Sequence, residues 1–97
     1  MSYRITVTPH FLNVLKALAP KCKTIKLNLA ALGEELRTNP NLGRDLGHRM
    51  RKIRLSLPIR GKGRKPMSKV INYNVILMQV DKELKLITIY ESNVMDD

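Results

Sequence analysis

The sequence predicts an α+β domain: two N-terminal helices packed on a four-stranded, mainly antiparallel sheet, in the order strand, helix, helix, then three strands. Three observations predict it. Apolar residues alternate over Tyr3–Thr8, recur at helical spacing through two segments on either side of Pro20, and alternate again in three segments after the Asn- and Gly-rich stretch Asn39–Gly47.

In the first strand pattern Tyr3, Ile5 and Val7 point one way and Arg4, Thr6 and Thr8 the other. Thr8-Pro9 supplies an N-cap followed by proline at the first helical position. Phe11, Val14, Leu15 and Leu18 then share one helix face, and Pro20 stops the helix. Ile25, Leu29, Leu32 and Leu36 mark a second helix over about Lys23–Thr38, ended by Asn39-Pro40. Asn39–Gly47 reads as a loop. Ile53, Leu55 and Leu57 alternate with Lys52, Arg54 and Ser56. Lys69–Val80 is nearly continuously apolar, as in a central strand, and Leu84–Tyr90 follows the short turn Asp81-Lys82-Glu83.

Ninety-seven residues make one domain, residues 1–97. The single cysteine, Cys22, excludes an intramolecular disulfide and a cysteine-based zinc cluster, and reads as a small hydrophobe. There is no apolar secretory core, and the longest apolar run, Val75–Met78, falls far short of the ~20 residues of a membrane span. A soluble cytoplasmic protein without membrane contact is the expectation.

The net charge is +10 and the isoelectric point about 10.2, which point to an acidic partner. The charge is concentrated: 9 of the 18 Lys and Arg residues, and none of the 8 acids, lie in Arg49–Lys69. Mutual repulsion among them costs stability, and a polyanion, nucleic acid first, is the usual reason to accept that cost. The connection Pro58–Ser68 is long for a hairpin loop. Gly61 and Gly63 let its backbone present Arg60, Lys62, Arg64 and Lys65 to a phosphate chain. With Arg49 and Arg51 these are the candidate RNA-binding residues. The Gly-Lys-Gly is not a P-loop, because neither the spacing nor the following helix is present.

The element order, Leu46-Gly47 before Arg51-Lys52-Ile53-Arg54-Leu55, then Gly61-Lys62-Gly63, Lys69-Val70-Ile71-Asn72-Tyr73 and the ending Leu86-Ile87-Thr88-Ile89-Tyr90-Glu91, resembles the RelE/HigB-type toxins of bacterial type II toxin–antitoxin modules. The resemblance covers nearly the whole chain and implies a RelE-like domain that cuts mRNA in the ribosomal A site and is neutralised by a cognate antitoxin protein. A sister branch, the ParE type, shares the fold and poisons DNA gyrase instead. Residue by residue, the family's strand cations match Lys52 and Arg54. Its next-strand arginine is replaced by Lys69. Its terminal aromatic and adjacent acid match Tyr90 and Glu91. The basic residue many members carry just beyond is absent at Ser92-Asn93.

Ribonucleolysis without metal or cofactor requires a base for the 2′-hydroxyl, stabilisation of the phosphorane and an acid for the 5′-oxygen. The sequence has no metal-binding cluster. Lys52 and Arg54, two apart on a strand, share a face, and Lys69 joins them if it leads the adjacent strand. Lys52, crowded by Arg51 and Arg54, and Glu91 are alternative bases. Tyr90 stacks on a nucleobase or donates a proton. The catalytic candidates are therefore Lys52, Arg54, Lys69, Tyr90 and Glu91. His48 reads as a loop residue, His10 as structural, and Tyr73 as a sheet-packing aromatic. The few aromatic residues argue against a stacking platform. Two alternatives stay open: a ParE-like gyrase inhibitor, and a non-catalytic RNA-binding module.

Overall fold

The protein is described here by a computed structural model over residues 3–60 and 68–92. Strand β1 (Arg4–Val7) leads into helix α1 (Pro9–Leu18) and, after a short turn, helix α2 (Ile25–Thr38). Four strands complete the chain: β2 (Arg44–Gly47), β3 (Met50–Arg60), β4 (Ser68–Val80) and β5 (Glu83–Glu91).

Thr8 does two jobs. Its Oγ1 accepts from the Phe11 N–H (3.1 Å), capping α1 with Pro9 in the first turn, and donates to the Ile87 carbonyl (2.9 Å). The cap thus ties the start of α1 to β5. Helix α1 buries Phe11 and Leu18, and α2 buries Ile25, Leu32 and Leu36, the apolar positions that the helical spacing picks out.

The strands form one sheet in the order β1-β5-β4-β3-β2. The expected four-stranded, mainly antiparallel RelE-like sheet is therefore corrected in two respects. The sheet has five strands, because Arg44–Gly47, read as loop, pairs with β3. It is also mixed, because β1 runs parallel to β5, Arg4 opposite Glu83 through Val7 opposite Leu86. All four residues of β2 are exposed, so no hydrophobic alternation marks it. It exists through backbone pairing to β3. β1 lies at one edge of the sheet and β2 at the other, and the two helices carry the chain between them.

β3 and β4 form a long antiparallel hairpin from Met50 opposite Met78 to Arg60 opposite Ser68. The basic loop is correspondingly shorter than Pro58–Ser68, and positions 61–67 lie outside the described residues. Pro58 is tolerated inside β3 because β2 pairs only as far as Lys52, leaving the outer edge beyond it without a strand neighbour. On that edge the Arg60 N–H turns outward to the Lys21 carbonyl, 2.8 Å.

One sheet face supplies Ile53, Leu57, Ile59, Val75, Leu77, Leu84, Leu86 and Ile89 to a single core with the buried helix residues and Cys22. Each such fully buried aliphatic side chain stabilises the fold by about 1.5–3 kcal/mol. No helix among the described residues is long and apolar enough to cross a membrane.

Candidate nucleic-acid interface

Side chains alternate across a strand, so the residues between the core positions of β3 must face away from the helices. These are Lys52, Arg54, Ser56, Pro58 and Arg60. Register extends this second face across the sheet. Arg44, Lys52, Ile76 and Thr88 form one row from β2 to β5, and Arg54, Asn74 and Tyr90 form the next. Ser56 Oγ donates to Asn72 Oδ1 at 2.7 Å in the row beyond.

At the β2 end of the first two rows lies an open pocket of about 360 Å³ lined by Gly43, Arg44, Lys52, Arg54 and Asn74. Gly43 holds its inner wall. Its φ of +89° is a left-handed conformation, and a Cβ built there would stand 2.5 Å from the Lys52 carbonyl oxygen. Asn74 is 1% exposed, and neither its Nδ2 nor its Oδ1 has a hydrogen-bond partner. Tyr90, directly across the ladder from Asn74, is 40% exposed.

Of the five residues expected to catalyse, the structure brings together Lys52, Arg54 and Tyr90. Lys69 pairs with Ile59 and Glu91 with Tyr73, which places both on the helix-facing side of the sheet. The expected third cation is thus replaced by Arg44, opposite Lys52. Glu91 acts on Tyr73 instead. Burial, then the nearby Glu91 carboxylate and then Cys22, raise the Tyr73 phenol above its ordinary value.

The expected RNA-binding residues also divide. Arg60 is exposed and lies on the polar face. Arg49 is exposed in the β2–β3 turn, where His48 (φ 52°) and Arg49 (φ 65°) both take the positive angles of a two-residue type I′ hairpin. Arg51 is a structural clamp. Its Nε donates to the Leu42 carbonyl (3.1 Å) and its Nη2 to the Gly43 carbonyl (2.9 Å), and Asp45 lies 3.9 Å from Nη1. Lys62, Arg64 and Lys65 lie outside the described residues.

Arg44 and Asn74 escape a reading by sequence alone. Arg44 sits in a stretch without strand periodicity. Asn74 does carry a signal, as one of three amides, with Asn72 and Gln79, in the largely apolar stretch Val70–Val80. His10, read as structural, reaches the edge of the same face, its Nε2 lying 3.0 Å from Thr88 Oγ1. Among the described residues no three His, Cys, Asp or Glu side chains are grouped to hold a metal ion. Comparison with protein-family models, curated proteins and solved structures found no match to the chain.

Proposed function

We propose that this protein is a toxin-type endoribonuclease that cuts ribosome-bound mRNA in the cytoplasm and is held inactive by a cognate antitoxin. The observation that carries the reading is the convergence of Arg44, Lys52 and Arg54 on one pocket of the helix-free sheet face, with Tyr90 one strand beyond Asn74. The resemblance of the Lys52–Leu55 and Leu86–Glu91 segments to RelE/HigB-type toxins supports the same class.

In this reading Arg44 and Arg54 hold an RNA phosphodiester and stabilise the negative charge that grows on its non-bridging oxygens, while Lys52 acts as an uncharged amine. The 2′-oxygen attacks phosphorus, its proton passing to Lys52. The new P–O2′ bond forms as the P–O5′ bond breaks, giving a 2′,3′-cyclic phosphate. The Tyr90 phenol protonates the departing 5′-oxygen. Glu91, on the opposite face, has no part in these transfers. Removing one of the pocket cations should slow cleavage by about 10²–10³, or ~3–4 kcal/mol in the barrier.

The placement of Lys69 and Glu91 away from the pocket favours one second reading, an RNA-binding module without cleavage. Primer extension on translating mRNA after induction, beside Lys52→Ala/Arg54→Ala, separates the readings. Codon-phased cuts that vanish in the double variant support the nuclease. Growth arrest with intact mRNA points to a gyrase-type target. A folded chain that gives neither cuts nor arrest supports the binding module.

A further inference from the structure

Strand β3 pairs with β4 along its whole inner side, but on its outer side only with β2, whose first residue Arg44 stands opposite Lys52. At the far end the Arg60 N–H turns outward to the Lys21 carbonyl. Backbone groups alternate in direction along a strand, so Arg54, Ser56 and Pro58 carry the outward groups between these two points. Among the described residues nothing bonds to the Ser56 N–H or to the Ser56 and Pro58 carbonyls. Arg54–Ile59 is therefore an open sheet edge of about 20 Å, the length of an ordinary strand.

The two flanks of this edge differ. On the helix-free face Arg54 and Arg60 are exposed, with Ser56 between them. On the other face a cleft of about 380 Å³ separates the edge from α2, and its lining includes the apolar side chains of Ala31, Leu32, Leu42 and Leu55. Glu35, also in the lining, disfavours a second carboxylate there.

We infer that the outer edge of β3 takes a strand from a partner protein, antiparallel and in line with β2, in which acidic and apolar residues alternate. The inference deepens the antitoxin part of the reading above by naming the chemistry of the partner's contact segment. An added strand supplies partners to the open backbone groups. Its residues opposite Arg54, Ser56 and Pro58 lie on the helix-free face, where carboxylates meet Arg54 directly and Arg60 across a diagonal. The residues between them enter the cleft beside Leu42 and Leu55, where aliphatic side chains fit. Two copies of this chain joined edge to edge would crowd the arginines of both on one face, which disfavours a second copy as the occupant. Arg54 also lines the pocket assigned to the RNA phosphate, so a carboxylate paired with it excludes RNA.

The test is fluorescence anisotropy with labelled, end-capped peptides of identical charge. The first is Glu-Val-Glu-Leu-Glu-Val-Glu, and the second has the same composition with its glutamates contiguous. The third and fourth are the first peptide methylated at two glutamate nitrogens, which face β3, or at two apolar-residue nitrogens, which face away. The first and fourth should bind about 5- to 150-fold tighter than the second and third, the worth of two hydrogen bonds. Ser56→Pro, which removes an outward N–H at an edge position where proline is tolerated, should abolish that preference. Ala31→Glu, at an exposed helix position, is a second variant that should abolish it by adding a carboxylate to the cleft. The first peptide should displace a 2′-fluoro uridine 11-mer from the wild-type chain, and Ala31→Glu should bind that RNA with unchanged affinity.

No binding of the first peptide, equal binding of the first and second, a third peptide as tight as the first, or a preference undiminished in Ala31→Glu overturns the strand site. Peptide binding without displacement of RNA overturns the exclusion. Failure of the wild-type chain to bind the RNA at low salt overturns the RNA reading, and the strand site then stands or falls on the four peptides alone.

Discussion

Arg44 and Lys52 stand directly opposite one another across the β2–β3 ladder, cation facing cation. Like charges at such a position destabilise a sheet, so Arg44→Thr should raise stability by about 0.2–1 kcal/mol. The same change should lower the slope of log affinity for RNA against log salt by about 1, the loss of one phosphate contact. Urea melts and a salt titration check the two halves. A loss of stability, or an unchanged slope, contradicts the placement of Arg44 on the binding face.

Asn74 carries a comparable cost in the interior. Replacing it with valine removes a buried carboxamide whose two polar atoms have no partner. Stability should rise by about 1–3 kcal/mol, seen as a higher urea midpoint with the same m-value. A fall instead would mean that the side chain is satisfied in the native protein.

Gly43 should tolerate no side chain. An added Cβ meets the Lys52 carbonyl oxygen at 2.5 Å and Ile53 Cγ1 at 2.7 Å, on a backbone held at φ +89°. Strain and overpacking together set the cost of Gly43→Ala at about 2–4 kcal/mol. A thermal melt within a degree or two of wild type would contradict this geometry.

Arg51 separates a structural cation from a functional one. Arg51→Ala removes two hydrogen bonds to backbone carbonyls and should destabilise by about 1–3 kcal/mol. Its RNA affinity, measured well below the melting temperature, should keep the wild-type salt slope. A slope reduced by about 1 would return Arg51 to the binding surface.

Tyr73 gives a pH dependence of definite sign. Its phenol titrates above the ordinary 10.0, chiefly because of burial and next because of Glu91. As pH rises past that value, the unfolded chain loses the Tyr73 proton while the folded chain keeps it. The unfolded state then binds fewer protons, and stability falls. The contribution is complete below the unfolded value and is lost as pH rises through the folded one. Tyr73→Phe should decline less steeply above pH 10 in denaturation midpoints taken across the alkaline range. A parallel decline would mean that Tyr73 titrates normally.

The elements that bury a periodic face were legible in the sequence. Phe11 and Leu18, and Ile25, Leu32 and Leu36, announced the helices. Ile53, Leu55 and Leu57 announced β3 and, by the same alternation, put Lys52 and Arg54 on one face. β2 was not legible because Arg44-Asp45-Leu46-Gly47 buries nothing, and neither was the parallel pairing of β1, because four residues do not name their partner. The site was only partly legible for a related reason. Tyr90 and Glu91 are adjacent in a strand and cannot share a face. Lys69 depended on register, where a shift of one residue exchanges the two faces. The continuation of β3 through Pro58 to Arg60 fixed that register, with Ile59 opposite Lys69. Asn74 was visible as an interruption of an apolar strand, but its isolation from every partner is a property of three dimensions.

The pairing of Arg4–Val7 with Glu83–Leu86 also orders events during biosynthesis. The first strand leaves the ribosome with no strand to pair with until the last one follows, and Thr88 and Tyr90 lie near that strand's end. A nascent chain halted at any earlier point has neither a closed sheet nor an assembled polar face. Interrupted products therefore lack the sheet face on which the proposed cleavage depends, and that face is complete only once the message has been translated through β5.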